Sequence, residues 1–243
     1  ISLILVPFIL YKIYPPEVKE TPNANAWASK KLEEMGKMTP AEKIMAFVFV
    51  LALLLWLLGS TIGIDATLVG FIAVSILLIS VITVKDMMEQ KGAWSLIVWL
   101  SIVMLMSQKL MKLGFFPWFS KQLGLMLHGV NWVWVLVILF LVYFYIHYMF
   151  PSITTQSSAV LAGFLSIALG AGVPKLMAGL MLGFAGSIFC STTPYSAGPA
   201  ALLSTTGYVK SSEWWKLSAI FGIFLNIVWL GGGLLWTKII GFW

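Results

Sequence analysis

The chain has 243 residues, of which 60% are hydrophobic and 10% are charged. Soluble domains carry about 25% charged residues, so this composition excludes a soluble globular domain and indicates an integral membrane protein. The single cysteine, Cys190, excludes a disulfide framework within one chain, and the net charge of +6 comes from lysines beside apolar segments, a pattern typical of membrane proteins and not of nucleic-acid binding.

The N-terminal residues 1–14 are apolar and end at Pro15 and Pro16. A signal peptide would open with a basic region and close on small residues, so we expect this segment to be the end of a membrane helix. The sequence would then be the C-terminal part of a longer protein. Residues 15–43 follow as a polar linker that contains five glutamates and five lysines.

Two helix starts are indicated in the next part of the chain. Thr39, followed by Pro40 and Glu42, has the pattern of a capping box and predicts a membrane span that ends near Gly63. Asp65 is predicted to cap a second span that runs to about residue 84.

A third span is predicted for residues 93–112, after a short polar connection at residues 85–91. Residues 115–128 mix tryptophan and phenylalanine with polar side chains. We interpret them as a helix that lies along the membrane interface, where aromatic side chains anchor.

Residues 131–172 consist of two apolar arms joined by an uncharged polar turn, PSITTQSS, at residues 151–158. A surface loop between membrane helices usually carries charge. Non-helical backbone at membrane depth occurs only where it is buried in protein or lines a cavity. The pattern therefore predicts a helical hairpin whose turn lies inside the membrane.

The two sides of this turn offer different chemistry. Pro151 is expected to end the first arm and open the second, so that the free N–H groups of residues 152–155 form an anion site. The hydroxyls of Ser152 and Thr154 would add donors, and the free carbonyls of residues 147–150 are a candidate cation site. His147 is interpreted as a hydrogen-bonded packing residue, with substrate or proton binding as the alternative.

A second interruption falls in residues 174–203, where the sequence CSTTPYSAGP occupies residues 190–199. Two prolines and a glycine predict a broken helix, and discontinuous helices mark the binding sites of many transporters. A proline kink whose hydroxyl neighbours only satisfy the backbone is the alternative. The last span, residues 213–238, contains three glycines at residues 231–233, which we interpret as an interruption and a place of close helix packing.

The distribution of lysine predicts the orientation. A hairpin enters and leaves on the same side, so ten lysines fall on the side of the linker and five on the opposite side. The positive-inside rule then places the linker in the cytoplasm. The hairpin would open to the outside, where the C-terminus would also lie.

At these residues the sequence resembles the divalent anion/sodium symporter family, and within it the branch of citrate/succinate and 2-oxoglutarate/malate exchangers. The likeness also includes the linker PPEVKETPNA, the segment QKGAW, and the C-terminal patterns GYVKSSEWWKL and NIVWLGGGLLW. Family members have two inverted repeats, each with a re-entrant hairpin and a broken helix. The resemblance implies that this chain is the second repeat, with residues 44–128 as scaffold and residues 129–243 as the transport part.

The resemblance also implies site residues. Hairpin tips in the family carry Ser-Asn-Thr, and the matching positions here are Ser152, Ile153 and Thr154, so the asparagine is replaced. The serine and threonine would contact a substrate carboxylate. The break of the family's second helix is matched by further candidate substrate-binding residues, namely Thr193, Pro194, Gly198 and Pro199.

The predicted function is secondary transport of di- or tricarboxylates, of the succinate, malate, 2-oxoglutarate and citrate class, in a bacterial cytoplasmic membrane. The resemblance implies an N-terminal repeat of the same protein and a second copy, bound through the scaffold, as partners. Ile153 offers no oxygen to sodium, and the nine acidic residues lie at span ends or in loops. We therefore expect anion exchange without sodium, cofactor or metal; sodium symport is the alternative.

Two other classes of function are alternatives to transport. A membrane hydrolase could use Ser152 as nucleophile and His147 as base, but the sequence places no acidic residue near them to orient the imidazole. A non-catalytic scaffold subunit is the reading favoured if both breaks are ordinary kinks.

Overall fold

The computed structural model describes residues 2–189 and 192–242, and every regular element in these residues is helical. The helices are α1 (Ser2–Ile13), α2 (Ala24–Met35), α3 (Pro40–Ile62), α4 (Ala66–Ser80), α5 (Val84–Met88), α6 (Lys91–Lys112), α7 (Phe115–Met126), α8 (Trp132–Ile146), α9 (Ile153–Gly170), α10 (Lys175–Ile188), α11 (Gly198–Ser204) and α12 (Ser211–Ile239).

Among the described residues, five helices are long and apolar enough to cross a membrane: α3, α6, α8 with the turn that extends it, α9 and α12. Each has at least the 18 residues that the hydrocarbon core of a bilayer requires. The prediction of an all-α polytopic membrane protein is confirmed. The chain divides into two compact units, residues 10–91 and residues 92–243 with the first nine residues.

In the smaller unit, α3 and α4 pack against each other, and both caps predicted from sequence are present. Thr39 accepts the N–H of Glu42 while the Glu42 carboxylate accepts the N–H of Thr39, which is a complete capping box. Gly63 ends α3 in the left-handed conformation, with φ of 70°. Asp65 then caps α4 by accepting the N–H of Thr67.

The polar parts of this unit contain two helices that the sequence analysis did not predict. Helix α2 lies within residues 15–43 and is exposed along its whole length, so it has no apolar stripe to reveal it. Helix α4 ends at Ser80, before the expected residue 84, because Thr83 opens the short helix α5 through a second capping box with Asp86. The hydroxyl and the backbone N–H of Thr83 hold the pKa of the Asp86 carboxyl below its ordinary value.

The core of the larger unit is centred on α8. Its inner face packs against α9 and α10, and its most buried side chains are aliphatic and aromatic: Val135, Leu136, Leu139, Phe140 and Phe144. Helix α9 runs back along α8, so residues 131–172 form a helical hairpin. That its turn lies inside the membrane stays a prediction.

Helix α7 forms where the sequence predicts a helix, but one of its sides is buried in protein. Phe116 is fully buried, with its ring centroid 4.7 Å from that of Phe150 at the hairpin turn. A Cβ added to Gly163 of α9 would lie 2.7 Å from the Ser120 hydroxyl, so α7 and α9 approach closely there. The position of α7 along a membrane interface stays a prediction.

The three glycines of the last span do not interrupt it, contrary to expectation. Helix α12 continues through them, with one π-helical turn at Val228–Gly232. Close packing is also absent at Gly231 and Gly232 within the described part of the chain, because a Cβ added to either would meet none of its atoms within 4 Å. At Gly233 the nearest atom, Met181 Sδ, would lie at an ordinary 3.8 Å.

Candidate functional site

The hairpin turn is built by a change of helix type and a serine cap. Helix α8 tightens into a 3₁₀ turn at His147–Met149, and Phe150 is extended. Ser152 then caps α9 by accepting the N–H of Thr155 at 3.2 Å, and its hydroxyl lies 2.8 Å from that of Thr155. Pro151 was expected to open the second arm, but it lies before the cap, because the serine hydroxyl is the better N-cap group.

The start of α9 retains the donors that an anion site needs. The first N–H groups of a helix have no partner inside it, and the Ser152 side chain occupies that of Thr155. The backbone N–H groups of Ile153 and Thr154 also lie at this positive end of the helix dipole, where they can donate to an anion. The Thr154 side chain is exposed, whereas Ser152 and Ile153 are half-buried.

The carbonyls at the end of the first arm are already engaged by donors of the protein. The carbonyl of His147 accepts the N–H of Phe150 at 2.8 Å. The Tyr195 hydroxyl donates to the Tyr148 carbonyl at 3.1 Å, and the Ser107 hydroxyl donates to the Met149 carbonyl at 2.5 Å.

These hydrogen bonds show that three of the four carbonyls of residues 147–150 are not free, contrary to expectation. A carbonyl oxygen has two lone pairs and can accept a second partner, so the cation site stays a prediction. Ser107 comes from α6 and Tyr195 from the non-helical residues 192–197, which lie 42 and 47 residues from their partners in sequence. No local pattern around the hairpin could have revealed that they reach these carbonyls.

The two arms are joined below the turn by a buried pair, His147 and Gln156. The Gln156 amide donates from Nε2 to the Tyr143 carbonyl at 2.6 Å, and its Oε1 lies 2.5 Å from His147 Nδ1. Both side chains have no exposed surface. His147 is therefore hydrogen-bonded and packed, while a role in substrate or proton binding stays a prediction. Sequence reasoning missed Gln156, although it is the one amide side chain in the polar turn PSITTQSS and could have been noticed for that reason.

The second predicted break is present in the described part of the segment. Helix α10 ends at Ile188, residues 192–197 are not helical, and α11 begins at Gly198 with Pro199 in its first turn. Cys190 and Ser191 lie outside the described residues. Two hydroxyls here satisfy the backbone: Thr192 donates to the Phe189 carbonyl and Ser196 to the Thr193 carbonyl.

The predicted residues of this break differ widely in exposure. Thr193 is fully buried, and its hydroxyl has no hydrogen-bond partner among the described residues. Pro194 is half-buried and lines a cavity of about 320 Å³ with aromatic walls that include Trp99 and Trp215. Gly198 and Pro199 are exposed.

The two breaks contact each other through the end of α8. The Phe189 ring centroid lies 4.2 Å from that of His147, and Tyr195 reaches the Tyr148 carbonyl as described above. On the other side, a Cβ added to Gly186 of α10 would lie 3.9 Å from Ile153 Cγ2. The structure thus places the turn of the hairpin against the end of α10 and against Tyr195 within the second break.

The contacts do not bring all the predicted site residues together. Within the described residues no hydrogen bond joins Ser152 or Thr154 to Thr193, and none joins His147 to Ser152. The imidazole is paired with Gln156 and the serine hydroxyl with Thr155. The geometry required for a serine nucleophile with a histidine base is therefore not formed in this part of the chain.

Comparisons with known proteins agree with the resemblance noted in the sequence. Residues 1–243 match the model of the family described as the sodium:sulfate symporter transmembrane region. A Bacillus subtilis protein named as a malate transporter is 40% identical, over all of this chain and 51% of that protein. The chloroplastic dicarboxylate transporter 1 of Spinacia oleracea is 37% identical, over all of this chain and 43% of the transporter.

The L-tartrate/succinate antiporter of Escherichia coli is 33% identical, over 98% of this chain and 49% of the antiporter. The chain thus spans about half the length of the curated relatives it matches. Because the family match covers every residue of the sequence, the chain belongs to the divalent anion/sodium symporter family.

Proposed function

We propose that this chain is the C-terminal repeat of a secondary transporter that exchanges one di- or tricarboxylate for another, by alternating access and without sodium. The observation that carries the proposal is the contrast between the two ends of the hairpin turn. The anion-binding end offers N–H groups and hydroxyls, whereas three carbonyls at the opposite end are engaged by protein donors. The names of the dicarboxylate transporters and the antiporter among the relatives support the substrate class.

The anion would be held by many weak donors in place of one strong ion pair. The chain contains no arginine, which is the usual bidentate partner of a carboxylate. A carboxylate at the start of α9 would accept the N–H groups of Ile153 and Thr154 and the Thr154 hydroxyl. Ser152 fixes the direction of these groups through its cap, and its own hydroxyl would also donate to the carboxylate. Thr193 would contribute the buried hydroxyl of the second break. Such a site can release its substrate, which transport requires.

Sodium has few ligands in this half of the protein. Ile153 places a branched hydrocarbon where the family motif has an amide oxygen, and its Cγ2 packs toward α10. Hard cations require several oxygen ligands, but the hydroxyls of Ser107 and Tyr195 compete for two of the nearby carbonyls. Sodium symport is the second candidate, and it would depend on ligands outside this chain.

The remaining features of the proposal follow from the pattern of the sequence. Residues 44–128 would form a scaffold through which two copies associate, and residues 129–243 would move the substrate together with the N-terminal repeat. Within the transport part the hairpin is residues 131–172, the broken helix residues 174–203, and the last helix residues 213–238. The linker would face the cytoplasm and the C-terminus the outside of a bacterial plasma membrane.

Uptake into membrane vesicles tests the proposal against an enzyme or a scaffold subunit. Vesicles that contain the full-length protein should accumulate labelled succinate or malate unchanged, and other di- and tricarboxylates should compete. Vesicles from cells without the gene provide the control. Chemical conversion of the label would indicate an enzyme, and no uptake above the control with any dicarboxylate would contradict a transport function.

A further inference from the structure

The change from α-helix to 3₁₀ turn at the end of α8 leaves one backbone carbonyl without its helical partner. In a continuous α-helix the N–H of His147 would bond the carbonyl of Tyr143, four residues earlier. Here that N–H turns to the carbonyl of Phe144. The Gln156 side chain replaces it, because its Nε2 donates to the Tyr143 carbonyl at 2.6 Å.

This bond fixes the tautomer of the histidine. Since the amide nitrogen of Gln156 faces a carbonyl, its oxygen must face His147 Nδ1, and an amide oxygen only accepts. His147 Nδ1 therefore carries the proton. In the neutral ring Nε2 then carries the lone pair; it is buried without a hydrogen-bond partner among the described residues, and the ring packs against Phe189 beside the second break.

We propose that Gln156 and His147 are positioning residues for the anion site. Their bonds close the base of the hairpin turn, because residues 148–155 lie between the two bonded side chains. The pair therefore sets where Ser152 and Thr154 stand relative to residues 192–197. This inference rests on the proposed function, since it assigns the pair a role at the same site.

The burial of both residues makes the pair difficult to replace. Neither side chain is exposed, so loss of the Gln156 amide would leave the Tyr143 carbonyl and the imidazole Nδ1–H of His147 buried without partners. The turn would move to satisfy them, and the donors at the start of α9 would move with it. The effect should appear first in the half-saturation constant for substrate, because the hydroxyls themselves are unchanged.

The imidazole is neutral throughout transport in this proposal. The titratable side chains near it on the packed elements are the phenols of Tyr148 and Tyr195, which carry no charge at neutral pH. No charged side chain of the described residues acts on the ring. The transport rate should therefore show no change between about pH 5 and 8 that can be assigned to protonation of His147.

The test uses purified full-length protein in proteoliposomes and measures half-saturation constant, maximal rate and pH profile of dicarboxylate exchange. Gln156→Met keeps the length of the side chain and removes both hydrogen bonds. His147→Asn keeps a donor near the position of Nδ1, and His147→Leu removes it. Asn226→Leu is the matched control, because Asn226 is a buried amide that bonds only the Gly222 carbonyl of its own helix among the described residues.

We expect Gln156→Met and His147→Leu to raise the half-saturation constant about 10-fold or more, and His147→Asn to stay within about 3-fold of wild type. Asn226→Leu should leave the constant unchanged. The inference would be overturned if Gln156→Met had a wild-type half-saturation constant, or if His147→Asn and His147→Leu were equally defective. It would also be overturned if the wild type showed a pH dependence of exchange that His147→Asn lacks. If Gln156→Met does not fold, the contrast between the two His147 variants decides. An inert wild type would instead overturn the proposed function, and the inference with it.

Discussion

Replacement of Ser152 and Thr154 together by alanine is expected to abolish dicarboxylate transport while the protein still reaches the membrane. Each hydroxyl that bonds a carboxylate contributes about 1.5–3 kcal/mol, so each single variant should raise the half-saturation constant about 10- to 150-fold. Ser152→Ala has a second effect, because the serine caps α9 through the N–H of Thr155. Loss of such a cap costs about 0.5–2 kcal/mol and would let the start of the helix fray.

Ser158→Ala is the matched control for these variants. Ser158 is an exposed serine one turn further along α9, and its hydroxyl donates to the Thr154 carbonyl within the same helix. Its removal should leave uptake and half-saturation close to wild type. Wild-type transport by the double variant at residues 152 and 154 would show that the hairpin turn does not bind the substrate.

Replacement of Pro194 and Pro199 together by alanine is also expected to abolish transport. Proline lacks the backbone N–H and clashes with the preceding turn, so these two residues oppose a continuous helix from α10 into α11. With both removed, the segment can extend α10 and withdraw the contacts of Tyr195 and Phe189 with the end of α8. The structural readout is the reactivity of single cysteines with a membrane-impermeant thiol reagent, in a background without Cys190.

In the protein with both prolines, a cysteine at the exposed position 198 should react, whereas cysteines at the buried positions 192, 193 and 196 should be protected. After the double replacement the segment should be a continuous helix, so cysteines three or four positions apart should react and those on the opposite face should be protected. Full transport by the double variant would show that the break is an ordinary proline kink without a role in transport. The hydrogen bonds of Thr192 and Ser196 to backbone carbonyls also fit this alternative.

Features that depend on a few neighbouring residues could be predicted from the sequence. The capping box at Thr39 and the cap at Asp65 are complete within three residues, and both are present. The hairpin and the broken helix were predicted because uncharged polar turns and prolines interrupt long apolar segments. Helix α2 was missed because none of its residues is buried, so no apolar period marks it.

Features that depend on distant residues could not be predicted in this way. The carbonyls of Tyr148 and Met149 looked free from the local sequence, but Tyr195 of the second break and Ser107 of α6 reach them. Gln156 appeared to be one polar residue among several, and its role depends on the helix change that releases the Tyr143 carbonyl. The three glycines were misinterpreted because helix α12 continues through them, with Gly231 and Gly232 in a π-helical turn and Gly233 in the α-helix that follows.

Counterflow in proteoliposomes tests most directly the claim that the full-length protein exchanges carboxylate anions without sodium. Labelled succinate or 2-oxoglutarate is added outside liposomes that are either empty or preloaded with unlabelled dicarboxylate. Label should enter only the preloaded liposomes, and replacement of sodium by potassium or choline should not change the rate. Uptake into empty liposomes driven by an inward sodium gradient would contradict exchange and would show that sodium binds despite Ile153 and the engaged carbonyls.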